Sequence, residues 1–209
     1  MQVVLYGASG MIGSRIQEEL VRRGHTVNAA TRHPERIAAA EGVTPMQSDA
    51  TSAASVAETA TGCEAAIDAI SPRGGRAYRL VDVAKSLVTA LPAAGVRRLI
   101  VVGNAGTLEV AHGLLQMETP EFPDKWMGVA IAQREVLKVL RGSDIEWTFF
   151  CPASIVRPGE RTGKFRMGGA KMIYDGTGAS RISIEDYAVA LVDELERPQC
   201  VREQCTVAY

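Results

Sequence analysis

The chain has 209 residues, with 23 Lys and Arg against 24 Asp and Glu, a net charge of −1 and 46% hydrophobic positions. Such a chain suits one globular domain that buries roughly 70% of the surface its unfolded form exposes, so it needs neither a disulfide framework nor a structural metal. The near-neutral balance gives no long-range field for steering polyanions, which excludes a general nucleic-acid binder and points to a small-molecule partner.

Cys63, Cys151, Cys200 and Cys205 stand apart, with no Cys-x-x-Cys spacing and no His beside them, so no metal site is readable and a reducing cytoplasm is the expected compartment. The apolar run 3–6 stops at Gly7, far short of the ~20 residues that span a bilayer, and no membrane association is expected.

Short apolar runs alternate with longer amphipathic stretches, most of which end in glycine. Residues 2–6 read as a buried strand, 12–23 as a helix stopped by Gly24, and 26–31 as the second strand. A helix over 34–41, opened by Pro34 and closed by Gly42, leads to a strand at 44–47. A helix over 52–61 ends at Gly62 before a strand at 65–70. The helix predicted over 78–94, with Pro92 in a frayed last turn, precedes the β-branched strand 97–102. After a long loop come a helix over 126–141 and a strand at 147–150. The stretch 152–180 is rich in Gly, Arg and Lys without a sustained period, and reads as a loop-rich segment on the substrate side. Ser183 and Asp186 fit a capping box for a helix reaching Arg197, and 204–208 closes the chain's strands.

This βαβ rhythm predicts an α/β fold over 1–209: a single domain with a doubly wound parallel sheet of the Rossmann type, helices on both faces and a ligand crevice at the carboxyl ends of the strands.

Chemistry is therefore expected just after each strand. Gly7-Ala8-Ser9-Gly10-Met11-Ile12-Gly13 follows the first strand and opens its helix, the spacing of a diphosphate-binding turn. After the second strand, where an acid would bind the ribose of NAD(H), stand Thr31, Arg32 and His33. A guanidinium there accommodates the 2′-phosphate of NADP(H), making NADP(H) the expected cofactor, unless Arg32 is a solvated surface residue. His33 and Arg36 are possible helpers.

Asp49, after the third strand, is either an adenosine-side ligand or a turn and cap residue. Ala69, Ile70 and Ser71 follow the fourth strand on the same side, and Arg73-Gly74-Gly75-Arg76 reads as a surface loop or a lid. Gly103 and Asn104 follow the fifth strand, where nicotinamide and substrate meet. The Asn104 amide can orient a substrate carbonyl or a water but cannot serve as a general acid; alternatively it is an Asn in a left-handed turn.

The glycine turn, Arg32, Asp49, Pro158-Gly159-Glu160-Arg161-Thr162-Gly163-Lys164 and Ser180-Arg181-Ile182-Ser183 with Asp186-Tyr187-Ala188 together resemble an atypical short-chain dehydrogenase/reductase. The likeness is to the group of NAD(P)H:flavin reductases related to biliverdin IX-beta reductase, and it runs over essentially the whole chain. It implies that Pro152, Ala153 and Ser154 flank the nicotinamide.

The superfamily's Tyr-x-x-x-Lys pair is missing: no tyrosine is followed four residues later by lysine, and the stretch from Trp126 reads Trp-Met-Gly-Val-Ala-Ile. Asn104 also replaces the Ser of many relatives. Reduction of an unactivated ketone, which needs a delivered proton, is thus disfavoured, whereas a planar conjugated acceptor needs mainly orientation.

Trp126 and Trp147 read as core or anchoring aromatics, and His112, in the long loop after Asn104, as a surface residue or a proton donor reaching the site. Arg161, Lys164, Arg166 and Lys171 read as solvated charges or as holders of an anion. The leading expectation is an NADPH-dependent reductase of a flavin, quinone or tetrapyrrole, with FMN or FAD as substrate rather than bound cofactor, acting as a monomer or homodimer. The competing expectations are a non-catalytic NADP(H) sensor that orders 152–180 for a partner protein, and a sugar-nucleotide epimerase or dehydratase.

Overall fold

The computed structural model describes residues 1–38, 40–72 and 75–209. In chain order its elements are β1 (Gln2–Tyr6), α1 (Met11–Arg22), β2 (Thr26–Thr31), β3 (Val43–Gln47), α2 (Ala53–Ala60), β4 (Ala65–Asp68), α3 (Arg79–Ala93) and β5 (Arg98–Val102). There follow a short hairpin of β6 (Glu109–Ala111) and β7 (Leu114–Leu115), then α4 (Asp124–Arg141), β8 (Glu146–Pro152), β9 (Ile155–Arg157), β10 (Arg166–Gly168), β11 (Arg181–Ser183), α5 (Ile184–Glu196) and β12 (Glu203–Ala208).

Eight strands form one sheet in the order β10-β12-β8-β5-β4-β1-β2-β3. All neighbours in it are parallel except β10 and β12. The build direction reverses between β1 and β4, which opens a crevice at their carboxyl ends. Strand alternation divides the core: Val3 and Leu5 face α1 and α5, whereas Val4 and Tyr6 face α2, α3 and α4. Ile16 and Leu20 of α1 stand four residues apart and seal the first face with Tyr187 and Leu191 of α5. Trp147 is core on the second face, but Trp126 is 51% exposed at the start of α4, which corrects its reading as a core aromatic. No helix among the described residues is long and apolar enough to cross a membrane.

Three expectations need correction. The helix expected over 34–41 is only a 3-10 turn, Pro34–Arg36. Proline sets the turn, but Ile37 is the one large apolar residue there, so the segment has no stripe to bury and a helix that short is marginal in water. It feeds β3, an edge strand whose middle residue is Pro45, tolerated because an edge strand has a spare side. The fourth strand ends at Asp68, not at residue 70.

Segment 152–180 is not simply loop. β9 pairs in parallel with β11, and β10 extends the sheet along β12. The long loop after Asn104 carries the β6–β7 hairpin, and Glu109 exchanges backbone hydrogen bonds with the second excursion through Ala170 O (2.9 Å) and Met172 N (2.8 Å). The helix cap at Ser183 also differs in its second half. Its Oγ accepts from Asp186 N–H at 2.9 Å, but the Ser183 N–H donates to the Tyr209 hydroxyl (3.1 Å), which itself donates to Asp186 (2.9 Å). The box is closed through a residue 26 positions away.

Candidate active site at the carboxyl edge of the sheet

Because neighbouring strands are parallel and in register, their ends meet along one edge. The ladder continues one residue past each strand: Gly7 N–H donates to Ala30 O (3.2 Å), Ser48 to Thr31 (2.8 Å), Ala69 to Tyr6 (2.9 Å) and Gly103 to Phe150 (2.8 Å). Gly7, Arg32, Asp49, Ala69, Gly103 and Ala153 are thus brought to a common rim by backbone bonds alone.

The glycine turn is dictated by sterics. Gly7 has φ +82°, and a Cβ on it would stand 2.6 Å from Ala69 O. A Cβ on Gly13 would stand 2.2 Å from Gly7 O, so helix and turn can pack this closely only if residue 13 has no side chain. Gly10 is the N-cap of α1 and its own N–H is used on Gly7 O at 2.9 Å. The N–H groups of Met11, Ile12 and Gly13 lie in the first turn and have no intrahelical acceptor. Ser9 and Met11 are exposed and Ala8 is buried. A cradle that a Cβ would fill, facing open N–H donors at a helix start, fits a diphosphate.

On the β2–β3 side, Arg32, His33 and Arg36 are exposed. Asp49 is a turn residue: its Oδ1 accepts from Thr51 Oγ1 (2.7 Å) and Thr51 N (3.0 Å), and its Oδ2 lies 3.6 Å from Arg79. The Thr51 hydrogen bonds, then Arg79 and Arg32, hold its carboxyl below the usual range. Arg79, at the start of α3, was not singled out by the sequence because its partner lies thirty positions away. Ser71 is exposed and Ile70 half-buried beside Gly7; of the Arg73–Arg76 loop, residues 73 and 74 lie outside the described residues.

At the other end Asn104 does not take a left-handed conformation: φ is −137° and ψ 134°. Its Oδ1 caps the 3-10 turn Ala105–Thr107 by accepting from Gly106 N–H at 2.8 Å, while its carbonyl accepts from Thr107 Oγ1 at 2.8 Å. Gly106 is walled in by Asn104, Ala130 and Phe122, so the turn is fixed against α4. The Asn104 amide nitrogen makes no bond among the described residues and remains a donor.

Pro152 and Ala153 are buried; Ser154 is exposed. Ser154 Oγ accepts from Gln116 Nε2 (2.5 Å), and its own proton finds only the Met172 thioether (3.7 Å). Gln116 reaches Ser154 from the excursion after β7, a contact that local spacing cannot announce.

Asp68 also escaped the sequence reading, although a carboxyl ending an apolar strand is a visible signal. It is 5% exposed, accepts from Ile70 N–H at 2.9 Å, and burial pushes its pKa up to about 7.

Other expected participants are engaged elsewhere. Arg161, read as an anion holder or a solvated charge, is exposed and makes a two-pronged pair with Glu19 (2.8 and 2.7 Å). Glu19 is nearly buried; burial opposes its charge, but Arg161 and Arg23 outweigh that and hold its pKa low. With Gly159 N–H on Glu185 and Thr162 and Gly163 on Asp186, residues 158–164 form a clasp on α1 and α5. The buried tyrosines are equally committed: Tyr6 OH to Thr59 and Val56 O, Tyr187 OH to Phe150 O. His112 is exposed, and His25 sits at the opposite end of the sheet, bonded to Glu196.

A doubly wound sheet whose switch point is filled by a glycine turn defines a dinucleotide-binding Rossmann protein. The chain belongs to the NAD(P)H-binding family, whose model matches residues 7–195. Three solved structures are similar along their whole length. One, named "putative exported protein", from Burkholderia pseudomallei, is 44% identical with a TM-score of 0.92 and full coverage of both chains. A "putative epimerase" from Bacteroides thetaiotaomicron is 39% identical, with a TM-score of 0.92 over 100% of this chain and 96% of that one. A "putative NADH-flavin reductase" from Streptococcus pneumoniae TIGR4 is 31% identical, with a TM-score of 0.89 over 100% and 99%. Family and neighbours agree with the resemblance carried by the glycine turn and the 158–164 segment.

Proposed function

We propose that the chain is an NADPH-dependent reductase of a planar conjugated acceptor, with a free flavin, FMN or FAD, as the first substrate class and a quinone or tetrapyrrole as the next. The bound nicotinamide would supply the hydride. Met11, Ile12 and Gly13 N–H groups would hold the diphosphate, Arg32 the 2′-phosphate, and the Asn104 amide with the Ser154 hydroxyl would orient what lies over the ring.

The observation that carries this reading is the missing Tyr-Lys pair. Among the described residues Tyr6, Tyr187 and Tyr209 spend their hydroxyls inside the fold, Tyr78 and Tyr174 are exposed with no lysine four residues on, and the head of α4, near which the resemblance would put the pair, carries Trp126 to Ile131 instead. An acceptor whose π-system spreads the incoming charge can take its proton from water, so alignment suffices. The name of the Streptococcus protein is in line with this, whereas epimerisation, suggested by the Bacteroides name, requires a paired acid and base, and the Asp68 carboxyl at the end of β4 is buried and accepts from Ile70 N–H. The sensor reading requires 152–180 to be free to order, and the clasp at 158–164 already anchors part of it.

Stopped-flow oxidation of NADPH with FMN, FAD, an unconjugated ketone and a nucleoside-diphosphate sugar tests the reading. Turnover is expected with the flavins alone. Tight NADP+ binding without turnover of any planar acceptor would remove the enzyme claim.

A further inference from the structure

We propose a second ligand site, separate from the crevice, for a small organic carboxylate with an apolar body. It is a cavity of about 300 Å³ between α4, the β6–β7 hairpin and the start of β12, at the small end of the size range of ligand pockets. No residue lining it belongs to the rim described above.

The lining dictates the ligand's chemistry. Leu115, Leu137 and Ala170 supply apolar walls. Arg134, Lys138 and Arg141 follow one another along one flank of α4 and line the opening, against a single lining carboxylate, Glu109. Lys138 is paired with Glu135 at 2.7 Å, but Arg134 approaches Glu118 and Glu135 only to 4.0 Å, and Arg141 forms no ion pair among the described residues. The Arg134 Nε is buried and donates to nothing. The Arg134 side chain as a whole is 41% exposed and Glu135 stands 4.0 Å from that Nε, too far for a hydrogen bond, so an anion in this cavity would supply the bond that neither carboxylate makes.

The floor is polar and rigid. Gln204, 9% exposed, donates through Nε2 to Thr107 O (3.1 Å) and Thr107 Oγ1 (3.0 Å). Its Oε1 accepts no hydrogen bond among the described residues, leaving an acceptor for a ligand hydroxyl. Thr107 Oγ1 donates in turn to the Asn104 carbonyl, so the site is the reverse side of the turn that carries Asn104.

The probe is 4-hydroxybenzoate, titrated into the full chain by calorimetry and by ¹⁵N-resolved NMR, with and without saturating NADP+. Acetate lacks the apolar body and tyramine carries the opposite charge. Saturable binding of 4-hydroxybenzoate is expected in both conditions, with shifts at Leu115, Leu137 and Gln204; acetate should bind at least about tenfold more weakly and tyramine not at all. Arg134→Ala with Arg141→Ala should weaken the probe by about tenfold or more. Ala170→Trp, which fills the cavity from a half-exposed position, should abolish binding while NADP+ binding persists.

Displacement of the probe by NADP+, acetate binding as tightly as the aromatic acid, unchanged affinity in both variants, or no saturable binding would each overturn the proposal. Direct titration reads none of the hydride chemistry, so failure here and failure of the reductase reading are separate results.

Discussion

The two ends of the crevice are held by different forces. At the diphosphate end the constraints are backbone atoms: Gly7 against Ala69 and Gly13 against Gly7, with no space for a single added carbon. At the Asn104 end they are side chains brought from afar, Gln116 onto Ser154, Met172 beneath Ser180, and Phe122 with Ala130 around Gly106. Backbone contacts at the first end leave no latitude for substitution, whereas side-chain contacts at the second can be exchanged residue by residue.

The sharpest way to break that contrast is Gly13→Ala. The new Cβ must displace backbone, so NADP+ affinity should fall roughly 100-fold or more by titration, with about 1–3 kcal/mol of lost stability. Retained affinity would mean that the turn gives way and the end is not rigid. Arg32→Ala comes next: losing one charge-assisted contact of about 1.5–3 kcal/mol should weaken NADP+ by roughly 10- to 100-fold and leave NAD+ unchanged. An equal loss for both would assign Arg32 to the surface.

Asp68 sharpens the comparison through pH. Its folded pKa of about 7 lies above the ordinary value near 4, so between these limits the folded state holds more protons than the unfolded one and stability falls as pH rises. Asp68→Asn keeps an acceptor for Ile70 N–H and should remove that decline, its melting temperature gaining on the parent from pH 4 to pH 8, on the order of 2 kcal/mol at the upper end. Parallel curves would show that the carboxyl titrates normally.

The smallest effect is expected from Arg161→Ala. Glu19 keeps Arg23, so the clasp should lose only about 1 kcal/mol, read as a drop of about 2–4 °C in melting temperature, with NADP+ affinity unchanged. A weakened cofactor would return Arg161 to the anion-holding role.

The contrast also explains what could be read in advance. The glycine turn was legible because its three glycines lie within seven residues and are the one residue type that lacks a Cβ, even though Gly7 is constrained by the distant Ala69. The strand and helix order was legible because each crossover helix pairs a periodic apolar stripe with a terminal glycine or a cap. The stretch 34–41 misled because proline and alanine satisfy local propensity while offering no face to bury. Gln116, Arg79 and the Tyr209 hydroxyl were invisible because their partners lie 38, 30 and 26 positions away. Asp68 was visible and overlooked, an ionisable group at the end of a strand that is otherwise Ala-Ala-Ile.

Pro45 halfway along β3 has a further effect. At one margin of the sheet it removes an amide from the row that an incoming strand would need, and at the other margin β10 is three residues long and opposed in direction. Neither flank is a good template for edge-to-edge growth, so both borders of the sheet oppose the strand-by-strand stacking that builds fibrils.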